Sequence, residues 1–580
     1  VASRPSTPVH FRIKEQKVNK SRAWSLPVDG LSLVRGPIDS SLSDDTVYEV
    51  LAAAARRWPH RDAAVFVEQG VRWTWSELNQ QVEWAAAGLW RLGVRKGDRV
   101  GIWSPNRAEW VVTQFATARI GAILVNINPA YRLAELEYAL NKSGVSVLIT
   151  AVAFKTSSYI GMLQTLGIGG PSRSEKLPHI KTVVRLGREP TAGMLNWDQM
   201  VKSGMAHTAD LPPAEALQCQ ESINIQFTSG TTGAPKGATL THHNIVNNAR
   251  AVAQCMRFSE QDSLCIPVPL YHCFGMVLSV LACVVTGAKM VFPGEGFEPL
   301  AALAAVQAER CTALHGVPTM FIAELDHPDF KQFDLSSLRT GIMAGAPCPI
   351  EVMRRVQSDM HMREVTIAYG MTETSPVSFQ SATDDPMEKR VTTVGRVLPH
   401  LEVKIVDAEG RVVPVGEKGE LCTRGYSVML GYWDDPQRTR EAVLDGWMHT
   451  GDLATIDSEG YCNIVGRVKD MVIRGGENVY PREVEEFLFR HPKVATVQVF
   501  GVPDQRYGEE LCAWIVTKPG VHCTEEEIRD FCRDQIAHYK LPRYIRFVQE
   551  LPQTVTGKPQ KFLMREAMMR ELGLHAAVTA

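Results

Sequence analysis

From Ile223 the chain runs through an alternating apolar stretch into a loop built almost wholly of Thr, Ser and Gly, and this junction limits the possible fold more than any other feature. Ile223, Ile225 and Phe227 recur with period two, which predicts a strand with one buried face. Thr228-Ser229-Gly230-Thr231-Thr232-Gly233-Ala234-Pro235-Lys236 follows at once. The hydroxyls of Thr228, Ser229, Thr231 and Thr232 and the N–H groups freed by Gly230 and Gly233 can converge on a polyphosphate, because glycine admits the φ values that turn successive N–H groups inward. Lys236 adds a full positive charge. The order is not a Walker A loop, which needs Gly-Lys followed by Ser or Thr; here Pro235 precedes Lys236 and Gly237 follows it.

Around this junction helical and extended patterns alternate. Residues 46–58 read as a helix with Val47, Val50, Leu51 and Ala54 along one stripe, and 76–92 as a second, followed by a strand at 99–103. Helices at 110–122 and 134–142 and a strand at 145–149 continue the series. The stretch 153–220 has no clear period and is expected to be irregular, with one strand near 180–185. A helix at 244–256 and strands at 312–316, 340–344 and 365–368 come next, and from 394 to 446 short runs with Gly and Pro indicate a β-rich subdomain. Such alternation favours an α/β fold of doubly wound, largely parallel sheets. At 580 residues the chain exceeds one compact domain.

With 62 basic and 64 acidic residues, the formal charge of −2 gives no global pull toward nucleic acid or an anionic membrane, so any anion site is local. Twelve cysteines, from Cys219 to Cys532, form no Cys-x-x-Cys pair, so neither a disulfide scaffold nor a zinc site is indicated and the thiols read as reduced and intracellular. Residues 1–36 carry Arg4, Arg12, Lys14, Lys17, Lys20, Arg22 and Arg35 against Glu15 and Asp29, a composition compatible with the remnant of a mitochondrial presequence or with a solvated arm. The charge-free run 264–288 is broken by Pro267, Pro269, His272 and Gly275, so no transmembrane segment is expected and the protein reads as soluble.

Thr-Ser-Gly-Thr-Thr-Gly-x-Pro-Lys-Gly resembles the AMP-binding loop of the adenylate-forming superfamily of acyl-CoA synthetases, luciferases and peptide-synthetase adenylation domains, and similar motifs run to the C-terminus. Within it, 223–248 and 471–481 most resemble medium-chain acyl-CoA ligases. The resemblance implies a large N-terminal AMP-binding domain (37–467), a smaller mobile α+β C-terminal domain (468–580) and a hinge at Lys469 that absorbs the rotation between two half-reactions. It implies ATP and Mg2+ as cofactors, coenzyme A as co-substrate and the mitochondrial matrix as the compartment, with the cytoplasm as alternative.

Roles follow motif by motif. In Tyr369-Gly370-Met371-Thr372-Glu373, after a strand, the resemblance has Tyr369 stack on adenine, Thr372 bond the α-phosphate and Glu373 hold Mg2+, a hard cation that prefers oxygen. Gly345-Ala346-Pro347 flanks adenine. Asp452 accepts both ribose hydroxyls and Arg467 supplies fixed donors nearby, against the plainer alternative of a structural ion pair. Arg474, Gly475 and Gly476 form a turn that lines the thiol's path in the second half-reaction. Lys558, in Pro-x-Thr-x-Thr-Gly-Lys, resembles the family's adenylation lysine, whose ammonium would offset the charge that grows when a carboxylate meets the α-phosphate. His272 sits where relatives place an aromatic or His near the substrate carboxylate. Phe274, Met276, Val277, His315, Val317, Met343 and Val377 are candidate walls of an acyl pocket, each equally readable as core.

The implied activity is acid:CoA ligation through an acyl-adenylate, with a fatty acid of medium length as substrate. An aryl-acid CoA ligase and a luciferase-like enzyme are the alternatives. A peptide-synthetase module is disfavoured: Tyr271-His272-Cys273 replaces the Asp that pairs an amino group, and no Ser after Ser458 offers a pantetheine attachment point. A non-enzymatic nucleotide-binding regulator would require loss of Lys558, Glu373 or the phosphate loop, and all are intact.

Overall fold

The computed structural model describes residues 26–574 apart from 171–172, 229–234, 347, 475–476, 505, 534 and 555–556. Two large, mostly parallel sheets take their strands from between Asp62 and Tyr432. One places Leu195–Asn196, Thr182–Arg185, Val147–Thr150, Arg99–Trp103, Ile123–Asn126 and Ser222–Thr228 side by side in parallel, then adds Lys236–Thr241 and Gly431–Tyr432 antiparallel. In the other, Glu364–Gly370, Thr340–Ala344, Ala313–Leu314, Ser263–Cys265, Lys289–Phe292 and Asp62–Phe66 run parallel, with antiparallel strands at both edges. Helices cover the faces, and one continuous apolar core joins the sheets.

Local chemistry starts several helices where the sequence indicated. Thr46 and Thr74 cap Val47–Arg57 and Trp75–Arg91, each accepting from the backbone of a Glu three residues on while that Glu accepts from the cap's own N–H. His242–Cys255 begins behind Thr241 in the same way, with Asn244 in the Glu position. Strand 312–316 is shorter than expected: Ala313–Leu314 pairs fully, and Gly316 adds a single bridge to Met343.

Three expectations need correction. Residues 153–220 are not irregular throughout, for Tyr159–Thr165 and Trp197–Met205 are helices. The second packs so tightly on Trp75–Arg91 that a Cβ at Gly204 would lie 2.0 Å from the Trp84 carbonyl oxygen, a contact made by tertiary approach and invisible to periodicity. Strand Ser222–Thr228 is buried on both faces over Ile223, Asn224, Ile225 and Gln226. A parallel sheet between helix layers exposes neither face, and the polar pair is satisfied internally: Asn224 donates to Leu124 O and Asn126 Oδ1, and Gln226 donates to Asn224 Oδ1. The N-terminal arm does not stay outside the fold to residue 36: Leu33–Arg35 pairs with Leu401–Val406, and Val34 is fully buried.

The β-rich region forms an antiparallel sheet of Leu33–Arg35, Leu401–Val406, Gly419–Gly425, Trp447–Ile456, Val443–Leu444 and Cys462–Arg467. Beyond Arg467 a short 3-10 turn, Val468–Asp470, leads into a five-stranded sheet whose apolar residues form cores of their own. Among the described residues no helix is long and apolar enough to cross a membrane, and all twelve cysteines are free.

Candidate active site

The site lies where strands of both parallel sheets end. Thr228 is the last residue of its strand and pairs with Lys236, so the phosphate loop connects two neighbouring antiparallel strands. Ser229, Gly230, Thr231, Thr232, Gly233 and Ala234 lie outside the described residues, as do Pro347, Gly475 and Gly476. From the other sheet, Glu364–Gly370 delivers Tyr369 and Gly370, and a single 3-10 turn then carries Thr372 and Glu373. Gly345 and Ala346 follow the adjacent strand, Thr340–Ala344, at its carboxyl end.

Lys236 and Glu373 meet through a residue that sequence reading missed. Tyr432 donates its hydroxyl to Glu373 Oε1 at 2.9 Å and accepts from Lys236 Nζ at 3.0 Å. Burial pushes the Lys236 ammonium down from its ordinary pKa and, with the Glu373 carboxylate beside it, pushes the Tyr432 phenol up. Thr228 Oγ1 stands 3.5 Å from the same Glu373 oxygen. Thr372 Oγ1 accepts from the Cys273 thiol at 3.4 Å, and Cys273 also contacts Gln226 Oε1 at 3.0 Å, tying the motif to the strand that carries the phosphate loop. No sequence period marks Tyr432, Cys273 or Gln226; only the fold brings them here.

Asp452 and Arg467 are opposite each other on neighbouring strands, and Arg467 Nε donates to Asp452 Oδ1 at 3.0 Å. Tyr369 donates its hydroxyl to the other oxygen at 2.6 Å; burial first, and then this carboxylate, hold the phenol well above its ordinary pKa. A carboxylate has about four lone-pair positions, so Asp452 retains acceptor capacity for two further hydroxyls. The ion pair and a ribose contact are therefore compatible. Behind Asp452, Glu420 accepts from the Gly451 N–H at 3.0 Å and sits 2.9 Å from His449 Nδ1, supporting the turn that presents the aspartate. Glu420, Cys422 and His449 make one trio of close polar groups and Asp44, Cys219 and His243 another, neither visible in sequence spacing.

Lys558 reaches this cluster from the far end of the chain. The residue is exposed to solvent. Partial loss of hydration, and then the Arg467 charge, lower its ammonium to about 8, against the opposing pull of Asp452, Asp470 and Glu373. Gly557, just before it, packs against Val317 and Thr319 of the parallel-sheet region. His272 accepts from the Phe274 N–H through Nδ1 at 3.1 Å, so its neutral form carries the proton on Nε2. Burial and the Lys558 charge lower its pKa to about 4. The π-helix Phe274–Leu281 follows directly, a departure from α-geometry frequent at functional sites.

The remaining residues divide. Arg474 makes a two-pronged ion pair with buried Glu510 (2.7 and 2.9 Å), so its described partners are structural. His315 is fully buried with both ring nitrogens engaged, Nδ1 by Ser279 Oγ at 3.0 Å and Nε2 by Met256 Sδ at 3.4 Å, as suits a core residue. Phe274, Met276, Val277, Val317, Met343 and Val377 are buried in the main core. The residues present fit a hard divalent cation: Glu373, 5% exposed, supplies a carboxylate, and the Thr228 hydroxyl stands 3.5 Å from its Oε1.

Known proteins resemble this chain over most of its length. The family model described as AMP-binding enzyme matches residues 51–433, and that of the AMP-binding enzyme C-terminal domain matches 483–558. YngI of Bacillus subtilis (strain 168) is 47% identical over 548 residues, 93% of this chain and 100% of the relative. The mitochondrial medium-chain acyl-CoA ligase ACSF2 of Danio rerio is 46% identical over 582 residues, 98% of this chain and 96% of the relative. Among solved structures, the anthranilate CoA ligase AuaEII in complex with anthranoyl-AMP superposes with a TM-score of 0.84 at 28% identity, covering 92% of this chain and 99% of that one.

Proposed function

This chain belongs to the AMP-binding enzyme family and is an ATP-dependent acyl-CoA synthetase, an acid–thiol ligase, and from that premise we propose that it activates a medium-chain fatty acid in two half-reactions performed by one cleft. First the acid's carboxylate oxygen attacks the α-phosphorus of ATP, forming acyl-AMP and releasing pyrophosphate. Then the CoA thiol attacks the acyl carbon, giving acyl-CoA and AMP. The observation that carries this reading is the convergence at the strand ends of two hydrogen-bonded groups, Asp452 with Arg467 and Tyr369, and Glu373 with Tyr432 and Lys236.

The residues divide the first step between them. Asp452 and Arg467 hold the ribose, and Tyr369, locked onto Asp452, presents its ring to adenine. Lys236 and the phosphate loop hold the β- and γ-phosphates, and Thr372 meets the α-phosphate. Glu373 is the residue to hold Mg2+, which when bound neutralises phosphate charge. Lys558 places its ammonium where two anions must approach, a fixed charge aimed at where negative charge develops. His272, neutral at physiological pH, offers its Nε2–H to the incoming carboxylate without adding charge.

For the second step the part of the chain from 468 to 580 rotates about a hinge at Lys469, withdrawing Lys558 and bringing the turn at Arg474, Gly475 and Gly476 to the cleft. The separate cores on either side of Lys469 support such a division, with the N-terminal domain beginning before residue 37. Medium chain length is supported by the ACSF2 relative's name, and that name with the basic segment supports the mitochondrial matrix; the similarity to YngI keeps the cytoplasm as the alternative.

AMP release dependent on both ATP and CoA, measured over short, medium and long fatty acids, cinnamates and amino acids, tests the reading. Turnover peaking at medium-chain acids is expected. A peak at aromatic acids replaces the substrate class, and pyrophosphate release without CoA consumption removes the second half-reaction.

A further inference from the structure

We propose that Tyr432 is a positioning residue that keeps the metal-binding carboxylate and the phosphate-loop lysine apart and charged, so that both are available when Mg2+ and ATP arrive. The inference rests on the reading of Glu373 as the magnesium carboxylate and of 228–236 as the phosphate loop.

Tyr432 is fixed from several sides. It is 5% exposed, its short strand pairs with Lys236–Thr241 in the register Ala238 to Tyr432, and its N–H donates to Thr439 Oγ1 at 2.9 Å. The ring packs beneath the Lys236 ammonium, 4.4 Å from its centroid. From that fixed ring the hydroxyl donates to Glu373 Oε1 and accepts from Lys236 Nζ, at 2.9 and 3.0 Å. A phenol has one proton and acceptor capacity as well, so both bonds form at once.

This arrangement solves a problem of opposite charges. A lysine and a glutamate side by side in a partly buried cleft attract strongly, and a direct ion pair would consume the charge that each needs for its own ligand. No direct Lys236–Glu373 ion pair is present among the described residues; the hydroxyl stands between the two. Tyr432 occupies Oε1 and leaves Oε2 without a hydrogen-bond partner among the described residues. Without the hydroxyl, Lys236 is free to close onto Glu373, and Mg2+ and ATP then have to break that pair before they bind.

Tyr432→Phe removes only the hydroxyl and retains the ring, its packing and the cation–π contact. Full-length protein is titrated with Mn2+ in the presence of a non-hydrolysable ATP analogue, free Mn2+ being read by electron paramagnetic resonance, for the parent, Tyr432→Phe, Glu373→Gln and the double variant. Hydrogen bonds to charged groups are strong enough that Tyr432→Phe is expected to weaken Mn2+ binding by roughly tenfold or more. Because the hydroxyl acts through Glu373, it is expected to cost almost nothing further in the Glu373→Gln background. Parent-like binding by Tyr432→Phe, or a loss that adds fully to that of Glu373→Gln, overturns the proposal. Parent-like Mn2+ binding by Glu373→Gln instead refutes the underlying assignment of the metal carboxylate. Thioester formation from supplied acyl-adenylate, which needs neither group, is expected to remain within about twofold in Tyr432→Phe, and its loss marks a structural role and likewise overturns the proposal.

Discussion

Loss of hydration and then the Arg467 charge lower the Lys558 ammonium to about 8, so its charge is lost progressively as pH rises through that value. Adenylate formation is therefore expected to decline as pH rises through about 8, while thioester formation from supplied acyl-adenylate does not follow that limb. Lys558→Ala is expected to lower pyrophosphate release by ~10²–10³ and to spare the thioester step; equal loss in both refutes the assignment. A second titratable group, Glu324, lies outside the cleft. Glu324 is wholly buried, neither carboxylate oxygen has a hydrogen-bond partner among the described residues, and burial raises its pKa from 4.5 to about 8. Across that window the folded state holds a proton that the unfolded state has released, so stability falls as pH rises, by an order of magnitude of a few kcal/mol in all. Glu324→Gln cannot ionise. Its melting temperature is expected to match the parent's near pH 5 and exceed it by a widening margin up to pH 8.5; a constant margin would show that Glu324 is not the titrating group.

At the scale of elements, the turn that presents Lys558 is built for one docked arrangement. Gly557 has φ +74°, and a Cβ there would lie 2.9 Å from Val317 Cγ2 and 3.0 Å from Thr319 Oγ1. Gly557→Ala combines backbone strain of ~1–2 kcal/mol with a collision against the loop at 317–319. Adenylate formation is expected to fall by roughly tenfold, whereas the thioester step, with Gly557 carried away from Val317, changes by less than about twofold. Half-reaction assays decide this, and matched losses would refute rotation of the turn. Elements with local signals were legible in sequence: the helix behind Thr46 declares itself through Glu49 and its apolar stripe. Trp197–Met205 did not, since its place depends on close approach to Trp84. Strand Ser222–Thr228 was found but assigned one buried face, because Asn224 is buried by partners on the neighbouring strand and Gln226 by Asn224 itself.

For the whole molecule, the core before Cys462 and those after Val472 share no residue. Scanning calorimetry is expected to resolve two unfolding transitions, with the smaller assigned to the C-terminal part; a single two-state transition would show that the parts unfold as one. The sequence by itself determined the family and named most of the residues proposed for the cleft, because period, glycine content and motif spacing are local properties of the chain. Only the tertiary structure decided what those residues touch: Tyr432 on Glu373 from 59 positions away, Tyr369 on Asp452 from 83, and Arg474 spent on Glu510. Hydrogen bonds and charges act over a few ångströms in space, and the strand order that sets those distances leaves no trace in the spacing of residues along the chain.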